Sequence, residues 1–161
     1  MDKFNIKNRR YLGSKAKLIS FIKDVVNKEC KNINIFLDLF GGTGNVAWNF
    51  NNQYTTIMIN DILVSNYFSY IAWFGSQEID NDKIKDLINH YNKLDKLENN
   101  YFSNNFSNTF FSEFNCKKIG FIREDIENKF INGFINEREK AILITSLLYS
   151  MDRIANTVGH Y

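Results

Sequence analysis

Two stretches of this 161-residue chain have the residue types needed to hold a nucleoside. The first is Asp38-Leu39-Phe40-Gly41-Gly42-Thr43-Gly44, where an acidic residue near the end of an apolar run leads into a glycine-rich turn. Without a Cβ, glycine takes positive φ and lets backbone come close to a nucleotide-like ligand. Gly42-Thr43-Gly44-Asn45-Val46-Ala47 also satisfies the loose pattern G-x-G-x-x-A, which fits a nicotinamide dinucleotide as well as S-adenosylmethionine. A plain structural turn fits it too. The second stretch is Asn60-Asp61-Ile62. Asp61 stands just past a β-branched run, where a carboxylate can accept both hydroxyls of a ribose. A solvated loop aspartate or a helix cap would put the same residue there.

A third segment, Asn8-Arg9-Arg10-Tyr11-Leu12-Gly13-Ser14-Lys15, lies ahead of both. It is not a phosphate-binding P-loop, because no glycine stands five positions before Gly13. Nicotinamide folds require no such segment before their first strand. A basic helix N-terminus remains the plain alternative.

The elements that must position these residues follow from periodicity. Leu18, Phe21, Ile22, Val25 and Val26 recur at helical spacing, which predicts a helix to about Cys30 with Ser14 as its N-cap. Ile33 to Phe40 reads as a buried strand, Asn45 to about Asn51 as a short helix, and Thr55 to Asn60 as a second strand. A strand-turn-helix-strand unit implies parallel strands with a right-handed crossover, and ligands at their carboxyl ends.

Beyond Asp61 the pattern turns helical. Leu63 to Phe74 predicts a largely buried helix, Asp80 to about Lys96 an amphipathic one, and residues 99–112 a polar-aromatic loop. Ile119, Ile122, Ile126 and Phe130 mark one face of a further helix. Asn136 with Glu139 predicts a capping box for the last one, Glu137 to about Ala155.

Composition narrows the class. With 44% hydrophobic and 16% aromatic residues the chain can bury a core of ordinary domain size. Cys30 and Cys116 match no metal-ligand spacing, so no metal site is expected; both read as core residues of a reducing compartment. No signal-type segment and no run approaching the roughly 20 apolar residues of a membrane span are evident, which points to a cytoplasmic protein. Residues 1–31 carry nine Lys or Arg against three acids, a balance of +6 that leaves −4 for the rest. Such an end suits a polyanionic partner or a solvated helix face equally.

The order of Arg10-Tyr11-Leu12-Gly13-Ser14-Lys15, then Asp38-Leu39-Phe40-Gly41-Gly42-Thr43-Gly44, then Asn60-Asp61-Ile62 resembles the Dam-like class of adenine-N6 DNA methyltransferases. The likeness is specific in the front third and softer behind, where Phe110-Phe111-Ser112-Glu113, Ile122-Arg123-Glu124-Asp125 and Ala155-Asn156-Thr157-Val158-Gly159-His160-Tyr161 carry it. It implies a partial Rossmann-like S-adenosylmethionine-dependent sheet in residues 1–75 and a helical, target-recognising subdomain in 76–161, an α/β fold overall. Tyr11 and Lys15 would hold the methionine part of the cofactor, with Gly13 between them. Phe40, Gly42 and Gly44 would shape the cofactor loop with Asp38 at its edge, and Asp61 with Ile62 would take the nucleoside. Arg9, Arg10, Arg123, Asn156, Thr157 and Tyr161 would face double-stranded DNA, although an arginine within a helix is more often a surface salt-bridge partner.

One feature of that class is missing. An adenine exocyclic amine is a poor nucleophile, because its lone pair is delocalised into the ring. The class answers with Asp/Asn/Ser-Pro-Pro-aromatic, whose side-chain oxygen and backbone carbonyl accept from the amine while the ring stacks on the flipped base. This chain contains no proline. Asn99-Asn100-Tyr101-Phe102 has a passing likeness but lacks the fixed backbone geometry of Pro-Pro. Two or three strands would also leave an unpaired hydrophobic sheet edge. The expectation is therefore a cofactor-binding portion, inactive alone, completed by a second polypeptide; the alternative is a non-catalytic DNA- or protein-binding remnant.

Overall fold

The computed structural model describes residues 15–32, 34–51 and 56–156. It is a mixed helix and strand structure that divides within the helix Val64–Phe74 into two compact units, one up to Tyr70 and one from Ile71.

In the first unit a 3-10 turn, Lys15–Leu18, leads into α1, Ile19–Glu29. Ser14, the expected cap, lies outside the described residues. Strand β1, Ile35–Asp38, is followed by α2, Asn45–Phe50, and then by β2, Thr56–Ile59. The two strands pair in parallel with Leu37 opposite Met58 and Asp38 opposite Ile59. Both are shorter than their apolar runs suggest; the ladder ends where Leu39 and Phe40 enter the turn. On one face Phe36 stacks on Phe50 of α2, with ring centroids 4.3 Å apart. On the other, Ile35, Leu37 and Met58 are each at least half exposed. Cys30, expected in a core, is exposed because it stands just past the last turn of α1.

The second unit is helical: the end of α3 (Val64–Phe74), then α4, Asn81–Asn92, α5, Tyr101–Phe106, α6, Glu113–Ile131, and α7, Glu137–Ile154. Its core joins Ile84, Leu87 and Tyr91 of α4 to Ile122 and Ile126 of α6 and Leu143 of α7. Cys116 is fully buried beside Phe111 and Ile119. No helix among the described residues is long and apolar enough to cross a membrane.

Residues 99–112, expected as loop, contain α5. Its sequence, Tyr-Phe-Ser-Asn-Asn-Phe, has little helix propensity. The helix exists because Asn100 and Ser103 form a reciprocal capping box, Asn100 Oδ1 accepting from the Ser103 N–H at 3.0 Å and Ser103 Oγ from the Asn100 N–H at 2.9 Å. The Asn100 amide then donates to the Lys117 carbonyl of α6 at 2.8 Å. This crossing requires Gly120, where a Cβ would overlap the Asn100 side chain and lie 2.5 Å from its Cγ. Gly120→Ala is expected to destabilise the protein by about 1–2 kcal/mol, because the cap must shift to make room. Urea unfolding monitored by far-UV dichroism measures this.

The capping box expected at Asn136 and Glu139 is present. Glu139 also reaches across to the start of α4, accepting from the Asp80 N–H at 2.9 Å and pairing with Lys83 at 2.8 Å, with its side chain 1% exposed. Burial pushes its pKa up, but Lys83 and the N–H groups of Asp80 and Asn136 outweigh this and hold it below the usual value. A depressed carboxyl pKa contributes stability that is complete above the unfolded-state value and lost as pH falls through the folded one. Thermal melts should therefore show stability falling on acidification below the ordinary glutamate range. Glu139→Gln is expected to cost about 2 kcal/mol at neutral pH and to flatten that acid slope.

Candidate cofactor site

Chain reversal after β1 is built from glycines for a steric reason. Gly42 and Gly44 have φ of 53° and 74°, the left-handed region that side chains avoid. Gly41 is buried, and a Cβ there would overlap Ile59 of β2 and stand 2.7 Å from the Tyr70 hydroxyl oxygen. Backbone bonds close the bend, the Gly41 N–H donating to Asn60 O at 2.9 Å and the Gly44 N–H to Gly41 O at 2.8 Å. The Asn60 amide donates to Leu39 O at 3.0 Å, fastening the bend to the end of β2.

Four of the residues expected to form one pocket, Lys15, Phe40, Gly42 and Asp61, meet at this bend. Lys15 Nζ donates to the Phe40 carbonyl at 2.8 Å. Asp61 Oδ2 accepts from the Gly42 N–H at 2.8 Å, and its other oxygen accepts from the Leu63 N–H at 2.9 Å and the Asn66 amide at 3.0 Å. Burial opposes ionisation of Asp61, but these three hydrogen bonds and the Lys15 charge hold its pKa below the ordinary aspartate value. It is a carboxylate at neutral pH. Its four lone-pair positions already serve three protein donors, so the geometry leaves room on Oδ2 for one further hydroxyl, not for the pair expected of a ribose.

Asp38 is half-buried at the edge of the bend, and its Oδ2 is buried with no hydrogen-bond partner among the described residues. Such an orphaned acceptor is costly unless a donor arrives. Phe40 and Ile62 are 78% and 94% exposed, which puts two large apolar side chains on the surface of the two segments. Tyr11, Gly13, Arg9 and Arg10 lie outside the described residues, as do Thr157 and Tyr161.

In the second unit Arg123 is exposed on α6 and lines an apolar groove of about 680 Å³ with Tyr101, Phe102 and Phe106. It has no acidic partner among the described residues, unlike Lys117, Lys129 and Lys140 on the same bundle. Asn156 is exposed, and its N–H donates to Phe110 O at 2.8 Å. Asn100, of the Asn99-Asn100-Tyr101-Phe102 stretch, is committed at both ends of its amide, to Ser103 and to Lys117. Sequence reasoning missed Asn66 and Tyr70, which are buried on α3 and touch Asp61 and Gly42. The readable signal was a polar trio, Ser65, Asn66 and Ser69, in an otherwise apolar and aromatic helix.

A basic residue, a glycine bend and a carboxylate thus share one corner of the first unit, in the chain order that the adenine methyltransferases use. Residues 11–161 match the family described as D12 class N6 adenine-specific DNA methyltransferase. The chain belongs to that family. Among curated relatives, modification methylase LlaI of Lactococcus lactis subsp. lactis is 32% identical over 166 residues, covering 94% of this chain and 26% of that protein. The type II methyltransferase M.FokI of Planomicrobium okeanokoites is 32% identical over 172 residues, with 94% and 26% covered. M.NlaIII of Neisseria lactamica is 28% identical over 163 residues, with 94% and 47% covered. This D12-class chain therefore spans from about a quarter to about a half of the length of these relatives. No solved structure matches it.

Proposed function

We propose that the chain is the S-adenosylmethionine-binding and DNA-contacting portion of a restriction-modification type DNA adenine-N6 methyltransferase, acting in the cytoplasm. The observation that carries this reading is the convergence of Lys15 and Asp61 on successive peptides of one glycine bend. The donor and acceptor set fits the cofactor. The orphaned Asp38 Oδ2 complements an ammonium, Lys15 a carboxylate, Asp61 a ribose hydroxyl, and the exposed Phe40 and Ile62 an adenine ring. Tyr11 and Gly13 join this set by the family's motif. When bound, the cofactor supplies a methyl group on a sulfonium. The role of this chain is to fix that group: the bend shapes the floor, and Asp61 and Lys15 set the register of the two ends.

The sheet of the first unit is the front of a Rossmann-like methyltransferase sheet, completed by an additional polypeptide. The bare face formed by Ile35, Leu37 and Met58 supports this, because parallel sheets bury both faces. We assign the Asp/Asn-Pro-Pro-aromatic segment, which accepts from the adenine amine, to that same additional polypeptide, a second chain. Asn100 does not replace it, since it spends its amide on capping α5 and tying it to α6. We assign DNA contact to Arg123 and Asn156 of the helical unit and, by the family's motifs alone, to Arg9, Arg10, Thr157 and Tyr161.

Isothermal titration of S-adenosylmethionine tests the reading. Saturable heat is expected, with Lys15→Ala weakening affinity about tenfold, the effect of one charge-assisted hydrogen bond. Absence of heat, or equal affinity for a nicotinamide dinucleotide, contradicts it.

A further inference from the structure

We infer that Tyr70 and Asn66 of α3 are positioning residues of the cofactor loop, forming with Asp61 a latch that holds Gly42 from both of its peptide groups. This rests on the cofactor assignment above. The Gly42 N–H donates to Asp61 Oδ2 and the Gly42 carbonyl accepts from the Tyr70 hydroxyl, both at 2.8 Å. Asp61 is itself oriented by the Asn66 amide at 3.0 Å. Asn66 and Tyr70 are 3% and 8% exposed, and they stand one turn apart, on one face of one helix. The Tyr70 ring edge lies against the bend, with its Cζ 3.2 Å from where a Gly41 Cβ would be.

The consequence concerns preorganisation. Gly42 sits at φ 53°, and a glycine is free to leave that region unless something holds it. With one peptide group bonded to Asp61 and the other to Tyr70 of α3, the bend is set before any ligand arrives, and binding does not bear the cost of ordering it. Removal of the Tyr70 hydroxyl leaves the Gly42 carbonyl without this partner and returns that cost to binding.

The test pairs affinity with a local probe. Tyr70→Phe keeps the ring and removes only the hydroxyl. It is expected to weaken S-adenosylmethionine binding about tenfold with the melting temperature nearly unchanged, and to shift the Thr43 amide resonance, whose peptide carries the Gly42 carbonyl. Asn66→Ala is the second variant, with a weakening of about fivefold expected. Wild-type binding with unchanged affinity in Tyr70→Phe overturns the latch and leaves the cofactor assignment standing. No binding by the wild-type chain overturns the assignment and the positioning role with it. If both variants fail to fold, exchange of the Tyr70 hydroxyl proton in the wild-type chain decides: slow exchange supports the latch, and exchange at the rate of a free tyrosine refutes it.

Discussion

Asp61→Ala is expected to lower the affinity of this chain for S-adenosylmethionine about a hundredfold, ~2.7 kcal/mol. The size follows from what the carboxylate holds. Alanine removes the acceptor for the Gly42 N–H, the Leu63 N–H and the Asn66 amide together, and each donor left unsatisfied costs about 1–3 kcal/mol where water cannot replace the lost partner. It also removes the acceptor assigned to the ribose. Asn at this position is no rescue. Its amide oxygen can serve one side, but its NH2 group must then face either the Gly42 N–H or the Leu63 and Asn66 donors, donor against donor. Asp61→Asn should therefore fall within a fewfold of the alanine variant, whereas an aspartate acting only as a solvated loop residue would tolerate asparagine freely. Because the Asp61 pKa is depressed, its contribution is complete at neutral pH and is lost only as pH falls through that lowered value. Titration calorimetry of both variants, with melting curves to separate folding from binding, measures these outcomes.

The second large effect is on chemistry. The chain alone, saturated with S-adenosylmethionine and supplied with unmethylated DNA, is expected to transfer no methyl group above background. The amine of adenine needs acceptors aimed at it as its lone pair is recruited, and removing even one preorganised partner of a transition state costs about 10²–10³ in rate. Here the whole Pro-Pro-aromatic group is missing from a chain without proline, so a deficit of at least about 10³, some 4 kcal/mol, is expected. Asn100→Ala should change nothing in such an assay, since among the described residues that side chain serves α5 and α6. Transfer of tritiated methyl groups to DNA is the measurement, and activity in the chain alone would assign the amine acceptors to residues within it.

How much of this could be read from sequence varies with how local the cause is. The strand-turn-helix-strand unit was legible because glycines, β-branched runs and helical spacing each act within a few residues. So was the capping box of α7, which spans Asn136 to Glu139. The helix α5 was not, because its cause is distant: weak helix formers are held by a cap whose amide is fixed by the Lys117 carbonyl, over a glycine at position 120. Cys30 read as core because cysteine usually is, yet its place after α1 leaves it exposed. Asp61 was legible as a carboxylate beyond a strand. Its partners were not, because Asn66 and Tyr70 come into reach only once α3 turns back over the bend, and only coordinates reveal that its lone pairs are largely taken.

Chemical-shift mapping with S-adenosylhomocysteine, the methyl-depleted form of the cofactor, tests the central claim most directly. The amides of Gly42, Gly44 and Asp61 and the Lys15 resonances are expected to move together, saturably, with one affinity. Shifts confined to the helical unit, or Lys15 and Asp61 responding to different ligands, would contradict a single pocket at the glycine bend.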